Sequence, residues 1–174
     1  MMRAKNVELL LLDVDGVLTD GTLFYSGAAE EIKGFNTLDG FGLRLLRDAG
    51  IAVGLITARS SEALNRRAGE LKLEYIYTDC RDKVLGYKEI LTLSGCSADQ
   101  TAYMGDDWLD LPVLLRVGCS FAPADAAAEV RQRVDYVTGR AGGHGAVREA
   151  CELILEAQGK YSALLEKYTK NKKC

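Results

Sequence analysis

Histidine is almost missing from this chain, whose 174 residues hold a single one, His144. Histidine-based phosphatases, catalytic triads and most zinc hydrolases draw on one or more placed imidazoles, so carboxylates are left to carry any catalysis. Proline is scarce too, at 2 residues, and no internal repeat or low-complexity stretch occurs. With 48% hydrophobic and 27% charged residues the composition is that of an ordinary globular protein, and residues 1–174 are expected to form one domain. Long apolar runs are absent as well. The opening MMRAKNVELLLLDVDG breaks off at Asp13, far short of the roughly 20 residues a bilayer span needs, so neither a signal peptide nor a membrane anchor is expected. The formal net charge of -3, with a basic block only in the tail, lacks the cationic footprint of a nucleic-acid binder and favours small-molecule partners. Five cysteines (Cys80, Cys96, Cys119, Cys151, Cys174) are an odd number without C-x-x-C spacing. They read as reduced thiols of a cytoplasmic protein rather than a disulfide framework or a zinc knuckle.

What is present is an alternation of short apolar runs with helical patterns. Val7 to Val14, Ile51 to Ile56, Tyr75 to Tyr77, Thr101 to Met104 and Ser120 to Ala122 read as buried parallel strands. Between them the spacing predicts helices over 40–49, ended by Gly50; 60–71, with Ser60 as N-cap; 82–93; 109–117; 126–133; and 146–158. This order predicts an α/β fold with an open, doubly wound parallel sheet, whose ligands bind at the carboxyl ends of the strands. Residues 16–35 break the rhythm: Thr22 to Tyr25, a Ser26-Gly27 turn signal and Ile32 predict a β-hairpin projecting from the sheet. The tail from Lys160 holds five lysines against Glu166, and two readings stay open for it, a solvated, frayed end or an element docked on the body.

Chemistry concentrates where strands end. Asp13-Val14-Asp15-Gly16 follows the run Leu9 to Leu12, and two carboxylates at the mouth of a buried strand lose hydration unless a cation or donors compensate. A divalent metal does so most simply. Asp13 then offers one oxygen to the metal and another to phosphorus, while Asp15, one step into the loop, reaches the leaving-group oxygen. By itself the motif also fits a plain strand-terminating Asx turn. Gly105-Asp106-Asp107-Trp108-Leu109-Asp110 follows another strand, and in a parallel sheet the two strand ends lie side by side, so Asp106 is expected to face Asp13 across one magnesium ion. Thr57 ends the strand Ile51 to Ile56, where its hydroxyl suits a phosphate oxygen as well as simple capping. Lys83 opens a helix, where its ammonium suits phosphate and Asp13, although a lone lysine there also fits plain solvation.

In the order Asp13-x-Asp15, Thr57, Lys83, Gly105-Asp106-Asp107, this sequence resembles the four motifs of the haloacid dehalogenase superfamily over nearly its whole length. The strings DVDGVLTDG, FNTLDGFG, LITAR, AYMGDDWLDLPV, AGGHGAVRE and AQGK are similar to those of its members without a cap domain that act on phosphates of eight-carbon sugar acids and supply lipopolysaccharide precursors. The resemblance implies that Asp13 attacks phosphorus to give an aspartyl-phosphate and that Asp15 acts as acid, then base. It implies magnesium held by Asp13, the Asp15 carbonyl and Asp106, with Asp107 and Asp110 orienting its waters. Residues matching the substrate-binding positions are Asn36, Thr37, Leu38, Asp39, Gly40, Arg44, Arg59, Arg67 and Lys83. Arginine forks suit a substrate with both phosphate and carboxylate, although Arg44 and Arg67 equally fit exposed helix charges. The interval from Asp15 to Thr57 leaves no room for a cap domain. A neighbouring subunit is therefore expected to close the site, with the 16–35 hairpin as the assembly element, in line with the homotetramer that the resemblance implies.

Two positions depart from the pattern: Leu38 stands where relatives usually carry arginine, and Ala58 where they carry glycine. The first bears on carboxylate recognition and on which sugar acid fits. His144, between Gly143 and Gly145, reads as a loop residue. The competing readings are a phosphatase of a related nine-carbon sugar acid, disfavoured by Arg59, a non-catalytic oligomerisation module, disfavoured by the intact Asp13, Asp15, Lys83 and Asp106, and a receiver domain.

Overall fold

The computed structural model describes residues 3–27 and 31–170. Leu9–Leu12 (β1) is fully buried, as four successive leucines with no polar alternation require of a strand covered on both faces. The strands flanking and extending it are Ala52–Ile56 (β4), Tyr75–Tyr77 (β5), Thr101–Met104 (β6), Cys119–Ala122 (β7) and Tyr136–Val137 (β8). All pair in parallel, in the order β5-β4-β1-β6-β7-β8, so the sheet is doubly wound as the sequence predicts. A separate antiparallel pair, Phe24–Tyr25 (β2) and Glu31–Ile32 (β3), forms the hairpin.

Helices Thr37–Asp48 (α1), Glu62–Leu71 (α2), Lys83–Ser94 (α3), Leu111–Leu114 (α4), Ala128–Arg131 (α5), Ala146–Ala157 (α6) and Tyr161–Lys170 (α7) cover the two faces. Side chains of β1 alternate across the sheet. Leu10 and Leu12 meet Leu43 and Leu46 of α1, Leu64 of α2 and Ile154 of α6, whereas Leu9 and Leu11 meet Tyr87 and Ile90 of α3 and Val113 of α4.

Several boundaries differ from those the sequence suggests, each for a local reason. Helix α1 starts at Thr37 because the Asn36 side chain caps it, accepting the Leu38 N–H at 2.8 Å. Ser61 rather than Ser60 caps α2, with the Leu64 N–H on its hydroxyl. The single helix expected over 109–117 is a 3-10 turn at Trp108–Asp110 followed by the short α4, since the Asp110 side chain folds back onto the Asp106 and Asp107 N–H groups. The helix expected over 126–133 shrinks to α5, whose Ala127 N-cap donates its N–H to the Asp106 carbonyl at 2.8 Å. Strand β8 is too short for any alternation to show in sequence; Asp135 pins its start to Ser120 of β7 at 3.0 Å.

Through residue 170 the tail is docked rather than frayed; 171–174 and the hairpin residues 28–30 lie outside the described residues. Leu164 of α7 is buried, the Tyr168 ring meets Phe41 of α1 edge-on at 5.4 Å, and the Tyr168 hydroxyl donates to Asp48 at 2.7 Å. Truncating Leu164 to alanine is expected to cost about 2–3 kcal/mol of unfolding free energy, measured by urea titration, as for other buried leucines.

Candidate active site

The carboxyl ends of β1, β4 and β6 open into one cleft of about 260 Å³. Its lining brings together Asp13, Asp15, Thr57, Arg59, Lys83, Asp106, Asp107 and Asp110, which the sequence singled out from four separate segments. Asp13 continues the β1 ladder, its N–H donating to the Met104 carbonyl at 3.0 Å, so its carboxylate leaves the sheet beside the end of β6. Gly16 takes a φ of +86°, and a Cβ there would sit 2.1 Å from Asp106 Oδ2. Only glycine lets the Asp15-Gly16 backbone turn this close under the Asp106 carboxylate.

Lys83 binds the cluster together. Its Nζ lies 2.9 Å from Asp13 Oδ1 and donates to Asp110 Oδ1 at 2.7 Å, and the side chain is buried. Asp110 also accepts the Tyr103 hydroxyl at 2.5 Å and the N–H groups of Asp106 and Asp107 at 3.1 and 3.2 Å. Both its oxygens are therefore engaged, and its work is to fix the 106–107 backbone and hold Lys83. Asp107 is exposed and accepts the Trp108 N–H at 2.7 Å, capping the turn that follows. Thr57 is buried, with its hydroxyl oxygen accepting the Arg59 N–H at 3.3 Å.

Two further residues went unrecognised in sequence. Tyr103, inside an apolar strand, supplies Asp110 with its second side-chain donor. Lys33 forms close ion pairs with Asp15 and, at 2.5 Å, with Glu31, while Arg59 Nε stands 4.0 Å from Asp15 Oδ2. The available signal was the Glu31-Ile32-Lys33 spacing, which puts both charges on one face of an extended segment.

The remaining substrate-binding expectations meet a different arrangement, for none of these residues lines the cleft of its own chain. Asp39 is fully buried, accepting N–H groups of Gly145 at 3.2 Å and Arg148 at 2.8 Å, and so ties α1 to the start of α6. Gly40 packs under the Arg67 guanidinium, where a Cβ would meet Nη2 at 2.3 Å. Arg67 itself donates to the Asn36 carbonyl at 3.2 Å and covers the Phe35 ring. Asn36 caps α1 and donates to the Gly143 carbonyl. Arg44 is exposed beside Tyr168, and Thr37 and Leu38 are exposed at the head of α1.

Burial is the dominant electrostatic influence on the cluster. It raises the Asp13 carboxyl from 3.8 to about 6, with Asp110 adding to the rise and Lys83 opposing it. Asp106 is raised by burial, then by Asp13 and Asp110, to about 7. Burial works to discharge Lys83, but Asp13 and Asp110 outweigh it and hold its pKa above the ordinary value. Carboxylate oxygens of Asp13, Asp106 and Asp110 lie within 4.8 Å of one another, close enough for one cation to bridge. Since Asp110 is saturated by its four donors, Asp13 and Asp106 are the carboxylates left to a metal, and an all-oxygen set suits a hard divalent ion.

A carboxyl that folding raises above 3.8 favours the folded state most at low pH, and that contribution is lost as pH climbs through the folded value. The metal-free protein should therefore lose the stability contributed by Asp13 and Asp106 as pH rises from 3.8, the loss being complete once pH has passed about 6 for Asp13 and about 7 for Asp106. Because metal needs both groups ionised, melting curves with and without magnesium should show a larger stabilisation at about pH 7.5 than at about pH 5.5.

A model of haloacid dehalogenase-like hydrolases matches residues 75–149. The 3-deoxy-D-manno-octulosonate 8-phosphate phosphatase KdsC of Yersinia pestis is 44% identical over 160 residues, 92% of this chain and 86% of that one. A crystal structure of the Moraxella catarrhalis phosphatase of the same name, in complex with magnesium, phosphate and KDO, superposes with a TM-score of 0.93 at 37% identity, covering 95% of each chain. The cobalt-bound Haemophilus influenzae phosphatase superposes with a TM-score of 0.90 at 42% identity, over 92% of this chain and 94% of that one. With strand ends, acidic cleft and relatives in agreement, the chain belongs to the haloacid dehalogenase-like hydrolases, in the family of the 3-deoxy-D-manno-octulosonate 8-phosphate phosphatases.

Proposed function

We propose that this protein removes the phosphate from 3-deoxy-D-manno-octulosonate 8-phosphate, with Asp13 as nucleophile, in the supply of lipopolysaccharide precursors. The observation that carries this reading is the convergence of Asp13, Asp106 and Lys83 on one cleft at adjacent strand ends. Magnesium, held by Asp13, the Asp15 carbonyl and Asp106, would supply the positive charge that draws the phosphoryl oxygens toward the nucleophile. Lys83 on Oδ1 leaves the other Asp13 oxygen free to attack. The Thr57 hydroxyl, accepting from Arg59, still has its proton to donate to a phosphoryl oxygen. Asp15 gives a proton to the leaving sugar oxygen as the ester bond breaks, then takes one from the water that hydrolyses the aspartyl-phosphate. Arg59, half-exposed at the mouth, offers its guanidinium to the sugar-acid carboxylate.

The partner is thus a small sugar-acid phosphate, and the setting is a cytoplasmic homotetramer of single-domain chains. Phe24 and Ile32, paired across the hairpin, expose large apolar side chains on one face, a surface suited to a second copy. Thr37 and Leu38, exposed and outside their own cleft, are available to a neighbour's substrate, and Asp107 to metal-bound water. Light scattering is expected to give four copies, and Ile32→Glu to release smaller species.

Phosphate release from the eight-carbon substrate, compared with its nine-carbon analogue, tests the substrate; preference for the longer acid would overturn it. Asp13→Asn is expected to lower kcat on the order of 10⁴-fold or more. Asp15→Asn should keep magnesium affinity, read by calorimetry, while kcat falls roughly 10²- to 10⁴-fold.

A further inference from the structure

The hairpin's return strand carries a charge that the scheme above does not use. Lys33 follows β3, and its side chain is only 1% exposed. A buried ammonium needs partners, and it has two carboxylates, Asp15 and Glu31. Ile32, between the two hairpin charges, points the other way and is 55% exposed. Glu31 also accepts from Arg59 Nη1 at 3.4 Å, and Arg59 in turn meets Tyr25 of the opposite strand. Both strands of the hairpin are thereby tied to Asp15. Among the described residues, the hydrogen bond to the Asp15 carboxylate is donated by Lys33, to Oδ1. Oδ2 is left on the side of Arg59, a residue of the cleft lining.

The Lys33–Glu31 pair lies within the hairpin strand itself, and the Glu31–Arg59 pair already joins that strand to the body, so holding the hairpin in place does not by itself require the contact between Lys33 and Asp15. We infer that Lys33 is a positioning residue, which by donating to Oδ1 holds the Asp15 carboxyl group with Oδ2 turned to the leaving group. Lys33 does not line the cleft and touches no reacting atom. In the first half-reaction the proton passes from Oδ2 to the sugar oxygen as the phosphorus–oxygen bond breaks and the bond to Asp13 forms. In the second, the same oxygen takes a proton from water as that water attacks phosphorus. The inference rests on the reading of Asp15 as acid and base.

The test is single-turnover kinetics of the first half-reaction on two substrates, the sugar-acid phosphate and p-nitrophenyl phosphate, whose leaving group departs without a proton. Lys33→Met is expected to slow the sugar substrate roughly 10²-fold and the nitrophenyl ester less than about threefold, with substrate affinity changed less than about threefold. Lys33→Arg, which keeps a donor, should recover at least about a tenth of the lost rate. Glu31→Gln leaves Lys33 on Asp15 and should keep the wild-type ratio between the substrates, and it also serves if Lys33→Met fails to fold. Equal loss on both substrates with Lys33→Met, or a Glu31→Gln variant that discriminates against the sugar substrate as strongly, reduces Lys33 to a hairpin anchor and overturns the inference. Asp15→Asn, run in parallel, separates the two levels. If it slows both substrates alike, the acid assignment itself falls; if it discriminates and Lys33→Met does not, only the role of Lys33 falls.

Discussion

The ammonium of Lys83, set between Asp13 and Asp110, is the contact on which the rest of this site depends. A parallel sheet brings the ends of β1 and β6 side by side, and the fold places a carboxylate on each and a third on the turn that follows. Without compensation these charges, removed from water, would repel one another by several kcal/mol. Lys83 neutralises one of them and at the same time aims Asp13. Asp110, saturated by its donors, turns that neutralisation into geometry, because the same carboxylate that holds Lys83 also holds the backbone carrying Asp106. What remains uncompensated is the charge that a divalent cation is suited to meet.

Around this centre the protein uses two kinds of support. From the sheet side come rigid elements, with Thr57 at the end of β4 and Lys83 in the first turn of α3. From the loop side come close approaches. Gly16 passes under Asp106, and the Gly143 N–H donates to the Val17 carbonyl at 2.9 Å, so the loop after Asp15 is held from behind by the segment that leads into α6. Asp39 fastens that segment to α1, and Arg67 fastens the residue before α1 across Gly40. Several residues that resemble substrate ligands in sequence thus do structural work within their own chain.

The hairpin links two levels of organisation. Its outer face presents Phe24 and Ile32, while its inner face presents Tyr25, Glu31 and Lys33 to Asp15 and Arg59. Strand alternation makes this division automatic, since neighbours in an extended segment point to opposite sides. An exposed apolar surface and a contact to the Asp15 carboxylate therefore sit back to back on the same few residues.

The doubly wound sheet and most of the cleft were legible in the amino-acid sequence because their signals are local. Apolar runs such as Leu9 to Leu12 mark strands, and Asp13, Thr57 and Asp106 directly follow such runs, where a parallel sheet collects them at one edge. Lys33 and Tyr103 were not legible, because each gains its role from a partner distant in sequence or packed across an apolar face, and neither residue is unusual in its own segment. Arg44 and Arg67 carry charges that suit an anionic substrate, and Asp39 lies close to Arg44 in sequence, yet which way a helix turns its face is settled by what packs beneath it. Tail docking followed from the same source: Leu164 and Tyr168 find an apolar surface on the body, a match between two distant stretches that local charge alone does not reveal. Local pattern decided which chemistry this chain carries at its strand ends, and long-range packing decided which charges reach that chemistry and which are spent holding the fold together.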